Sequence, residues 1–131
     1  MLSAKPATKR GDVLGQVIFC LGCCCGRPDR GHPALPVDWI KSEWKAHKLN
    51  KKIQLTISGC LGPCDVPNVV WVHTPNQSRW FGKLSTDEIY RDLVAWAISS
   101  AEHGELLPFP SSLLPHEFDR FEVPALQTSN V

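Results

Sequence analysis

Residues 13–25 read VLGQVIFCLGCCC, an apolar, β-branched run that ends in a knot of cysteines. A short apolar run closed by glycine predicts a buried strand over residues 13–20, with Cys20 as its last residue. Gly22, Gly26, Pro28, Asp29, Gly31 and Pro33 make the next stretch a loop. The same grammar recurs at residues 52–64, KIQLTISGCLGPC. Ile53, Leu55 and Ile57 alternate with Gln54 and Thr56, which predicts a half-buried strand over 52–58 running into a second cysteine loop. All six cysteines of the chain lie in these two loops.

Periodicity places the remaining elements. Pro36 suits a first helical turn, and Val37, Ile40 and Trp44 recur at helical spacing, which predicts a helix through Lys48 with a lysine-rich outer face. NVVWVHT (68–74) reads as a third strand, Pro75-Asn76-Gln77 as a turn, and 78–83 as a fourth strand. Ser85-Thr-Asp-Glu88 matches a capping box, ahead of a second helix with Ile89, Leu93 and Trp96 on one face, ending near Gly104. Beyond it, Pro108, Pro110, Pro115 and Pro124 predict an irregular tail docked by Leu113, Leu114, Phe118 and Phe121. The expected organisation is a disordered leader (1–12), one α/β domain (13–103) and a Pro-rich tail (104–131). The order β-α-β-β-β-α predicts two layers, with both cysteine loops at one end of the sheet.

Composition narrows the function classes. A chain of 131 residues is one domain, and a formal net charge of +1 gives no electrostatic case for nucleic acid or an anionic membrane. The longest apolar run, at 94–98, is too short to span a bilayer. Lys5, Lys9 and Arg10 are not followed by an apolar core, so residues 1–12 do not read as a signal peptide. Clustered cysteines without a secretion signal predict a reducing cytoplasm and metal ligands rather than a disulfide framework. Thiolates select zinc, copper(I) or iron–sulfur centres.

Cys20 and Cys25 enclose four residues, Cys60 and Cys64 enclose three, and the pairs are separated by thirty-four. C-x4-C after the first strand, then SGCLGPC after the second, resembles the thioredoxin-like 2Fe–2S ferredoxins, a module shared with the small iron–sulfur subunit of NADH:quinone oxidoreductase. The resemblance covers about residues 13–98. It implies a thioredoxin-like two-layer fold with a four-stranded mixed sheet, one 2Fe–2S cluster on Cys20, Cys25, Cys60 and Cys64, and one-electron transfer to a protein partner rather than enzymatic turnover. The extra thiols Cys23 and Cys24 leave the first-loop ligands open, since either could substitute. The CLGCCCGR and SGCLGPCDV blocks are also similar to stand-alone ferredoxins that accompany cobalt chelation in cobalamin biosynthesis. That likeness implies a chelatase as partner; a reductase is the other redox partner to expect.

Two other chemistries use the same residue types. A four-cysteine zinc module would want C-x2-C knuckles, and only Cys20–Cys23 supplies one. A thiol–disulfide oxidoreductase would want its C-x2-C at a helix N-terminus, and a loop intervenes here. Among the five tryptophans, Trp44 and Trp96 have core spacing, while Trp39 and Trp80 are candidates for a partner-facing patch. His32 is the one histidine near a cysteine loop. Arg27, Arg30 and the lysines at 41, 45, 48, 51 and 52 predict a basic side suited to an acidic partner. Asp65 has no serine, histidine or second carboxylate placed to work with it.

Overall fold

A computed structural model describes residues 12–22, 24–63 and 65–121. The elements are β1 (Gly15–Cys20), α1 (Val37–Ala46), β2 (Ile53–Ser58), β3 (Val70–His73), β4 (Ser78–Phe81), α2 (Asp87–His103) and β5 (Glu117–Phe118). They form a mixed sheet in the order β2-β1-β3-β4-β5, with β1 parallel to β2 and the other neighbours antiparallel. The α/β class is as expected.

The sheet has five strands where the sequence predicts four. The extra one comes from the tail, where Phe118 pairs with Trp80 and Glu117 with Phe81. A bidentate ion pair, Arg79 Nε and Nη2 to the Glu117 carboxylate at 2.7 and 2.6 Å, holds it there. The tail packs as well as pairs. Leu113 is fully buried, Phe109 stacks on Trp96 at 4.7 Å, and Trp96 Nε1 donates to Leu107 O at 2.7 Å. The expected leader, apart from Asp12, and the end of the tail (122–131) lie outside the described residues.

One sheet face carries the core. Val17, Phe19, Ile53, Val70, Val72 and Phe81 meet Ile40 and Trp44 of α1 and Ile89, Leu93 and Ala97 of α2. Period-two alternation turns Gln16, Ile18 and Cys20 to the other face. There Gln16 Nε2 donates to Thr56 Oγ1 at 2.7 Å. Trp44 Nε1 donates to Ile53 O at 2.8 Å, fixing α1 over β2.

Helix ends follow local chemistry. Gly104, at φ +78°, closes α2 in the left-handed conformation that glycine adopts freely. At its start the cap is Thr86, whose hydroxyl accepts from Ile89 N–H, one residue later than the capping-box pattern implies. Glu88 therefore sits in the first turn, where its charge meets the helix dipole, and not at the reciprocal box position.

Candidate metal centre

The two cysteine loops leave the sheet at the same end because β1 and β2 are parallel neighbours. Cys20 is in register with Ser58, the last residue of β2. Leu21 N–H donates to Ser58 O at 2.9 Å, carrying the ladder one residue into the first loop. Gly22 then lies against the second loop. A Cβ on it would stand 3.4 Å from Cys60 N and 3.8 Å from Gly59 C, ordinary contact distances that put the two loops side by side.

The first loop turns back on itself, with Gly22 N–H donating to Cys25 O at 3.1 Å. Cys20 and Cys25 are buried beside Val69, inside a collar of Leu61, Val66, Trp80 and Phe118. Burial first, then the neighbouring Cys20 thiol, push the Cys25 thiol up to about 12, with Cys24 adding to the rise and a main-chain hydrogen bond from Val69 opposing it. Cys24 is half-buried.

Asn68 fixes this loop. It is 1% exposed, and its Oδ1 accepts from Gly26 N–H at 2.7 Å. Its Nδ2 donates to Pro33 O at 3.0 Å, to Ala34 O at 3.3 Å and to Tyr90 Oη at 3.0 Å. Tyr90 Oη donates onward to Leu84 O at 3.2 Å. Burial raises the Tyr90 hydroxyl to about 12, against the hydrogen bond from Asn68. One amide thus joins the loop after Cys25 to α2.

The tail reaches the second loop. The Arg120 guanidinium packs against Gly62 and lies 5.7 Å from the Trp80 ring centroid and 4.7 Å from that of Phe121. Its Nε is buried without a hydrogen-bond partner among the described residues. Trp80 also stacks on Trp71 at 5.0 Å, with 5° between the ring planes.

Of the four expected ligands, Cys20 and Cys25 are brought together and Cys60 is exposed on the adjoining loop. Cys64, and the substitute Cys23, lie outside the described residues. Among the described residues no three His, Cys, Asp or Glu side chains gather closely enough to hold a metal ion. The donor chemistry fits a soft metal at the Cys20–Cys25 pair. Two neighbouring buried sulfurs in an apolar collar are a donor set of the kind that a soft cation takes up as thiolates.

Trp44 and Trp96 are core residues, Trp39 is 36% exposed, and Trp80 forms part of the cysteine collar. His32 N–H donates to Arg27 O in the turn after the first loop, and Asp65 is exposed. Arg27 makes a bidentate pair with Asp29 at 2.9 and 2.7 Å. Sequence reasoning missed Asn68 and Arg120. An asparagine opening an apolar strand directly after Pro67 was a readable signal for the first; the tail has no pattern that marks the second.

No helix among the described residues is long and apolar enough to cross a membrane. Comparison with protein-family models, with curated proteins and with solved structures gives no match.

Proposed function

We propose that the chain is a thioredoxin-like 2Fe–2S ferredoxin that passes one electron to a protein partner, a reductase or a chelatase. One observation carries this reading: the Cys20–Cys25 thiol pair is held at the end of β1, with Gly22 seated against the loop of Cys60. The parallel β1–β2 pair, flanked by the β3–β4 hairpin and covered by two helices, supports the fold assignment. The holding residues would be Cys20, Cys25, Cys60 and Cys64.

When bound, such a cluster accepts and returns single electrons near the surface. The chain's own part is positional. The apolar collar keeps water from the buried thiols. Gly26, at φ +66° and with no room for a Cβ beside the Leu21 side chain, lets the first loop turn, and the Arg120 guanidinium places positive charge beside the second loop, where an anionic centre would need it.

The test is anaerobic purification followed by metal and sulfide analysis and a visible spectrum. About two irons and two sulfides per chain are expected. A colourless protein with one zinc would overturn the proposal. Cys25→Ser should lose the cluster and Cys24→Ser should keep it. A normal cluster in Cys25→Ser would refute the first-loop assignment.

A further inference from the structure

β2 lies at the edge of the sheet, and only part of that edge is closed by the chain itself. Main-chain groups alternate sides along a strand, and two contacts show which residues of β2 turn outward. Ile53 O accepts from Trp44 Nε1, and Leu55 N–H donates to Asn50 Oδ1 at 2.9 Å. The same alternation turns Ile57 outward. Leu55 C=O and both main-chain groups of Ile57 have no partner among the described residues. Gly59 continues this open stretch, with nothing within 4 Å of where a Cβ would stand.

The open stretch borders a groove of about 440 Å³ between the flank of α1 and β2, lined by Lys41, Trp44, Lys45, Asn50, Leu55 and Ile57. Lys41 and Lys45 are exposed one helical turn apart, with Lys48 and Lys51 beyond them. None of these four lysines forms a salt bridge among the described residues. Lys52, by contrast, is paired with Asp12 at 3.5 Å. Unsatisfied strand edge, half-buried aliphatic side chains and unneutralised lysines thus meet in one place, beside the second cysteine loop.

We propose that the β2 edge docks an acidic, extended segment of a partner protein. The segment adds about four residues as a sixth strand, roughly 13 Å at the usual rise per residue. Main-chain bonds to Leu55 O and Ile57 give it register, and its carboxylates meet Lys41 and Lys45. A second copy of this chain is a poor occupant, since pairing two β2 edges would bring like-charged lysine rows together. The site does not depend on a bound cluster.

The probe is a fluorescein-labelled, acetylated heptapeptide alternating glutamate and valine, titrated into the full-length protein as purified and read by polarisation. Hydrogen exchange maps its position. Expected are saturable binding that weakens with salt, slowed exchange confined to residues 55–59, and at least a tenfold loss of affinity in the Lys41→Glu/Lys45→Glu double variant. The same peptide N-methylated at alternate amides should lose affinity to a like degree, its charge being unchanged. Absence of binding to the acidic peptide overturns the proposal. So does equal affinity for the N-methylated peptide, which would mean charge attraction without strand addition, or protection mapping elsewhere. The double variant should match the parent by circular dichroism, and its cluster content should be unaltered; loss of both fold and binding would be resolved by the N-methylated peptide on the parent protein.

Discussion

Replacing Asn68 with alanine should be among the most damaging single changes in this protein, although no thiol is touched. The side chain is almost fully buried and makes one accepted bond, from Gly26 N–H, together with Nδ2 contacts to Pro33 O, Ala34 O and Tyr90 Oη. An amide has two N–H groups, so the three Nδ2 contacts amount to two full donations. Three hydrogen bonds at about 1 kcal/mol each, plus the cost of leaving buried groups unpaired, come to roughly 3–4 kcal/mol. That is a large share of the 5–15 kcal/mol typical of a domain. For a chain of this size it lowers Tm by about 10–18 °C. Thermal unfolding followed by far-UV circular dichroism reads it directly. Asn68→Asp separates the two halves of the site, because it keeps the acceptor for Gly26 N–H and turns a carboxylate toward two carbonyls. Burial there raises the folded pKa of the new group, so the loss should be greater at pH 7.5 than at pH 5. Tyr90→Phe should cost about 1–2 kcal/mol, and the double variant with Asn68→Ala should fall short of additivity by about 1 kcal/mol. A Tm drop under about 3 °C for Asn68→Ala would refute the reasoning.

The β4–β5 closure should be acid-sensitive. Arg79 holds the Glu117 carboxyl below the usual carboxylate range, so its contribution is present above the unfolded pKa and fades as pH falls through the lower folded value. The pair is partly exposed, which limits it to about 0.5–1 kcal/mol; urea midpoints of Arg79→Ala and the parent should converge in strong acid and separate at pH 7. Thr86→Ala removes the cap that receives Ile89 N–H and should cost about 0.5–1 kcal/mol, while Ser85→Ala should be near neutral, a pairing that calorimetry can check and that the reverse order would contradict.

Much of the fold was legible because the strands are punctuated. β1 and β2 are apolar or alternating runs stopped by glycine and cysteine, and the structure places both within two residues of the expected limits. β3, β4 and both helices obey the same logic of period and breaker. β5 was not legible, since two residues, Glu117 and Phe118, carry no periodicity, and their pairing is decided by Arg79, thirty-eight positions earlier. The cap of α2 shifted by one residue because Ser85 and Thr86 are both competent caps, and local pattern does not choose between adjacent hydroxyls.

For the site, convergence was legible and depth was not. Two loops that each leave a strand must share an end when those strands are parallel neighbours, and a connection holding one helix makes that pairing natural. Spacing says nothing of environment, however. Cys20 and Cys25 sink into a collar assembled from the β2–β3 connection, β4 and β5, whereas Cys60, on the adjoining loop, is exposed. The collar includes Phe118 of the tail, and Arg120 from the same stretch packs on Gly62 and the Trp80 ring. The stretch that reads as an appendage in the sequence therefore closes both the sheet and the cysteine end. Its prolines mislead because they forbid helix and long strand without forbidding burial, and it is burial by Leu113, Phe118 and their neighbours that joins the tail to the site.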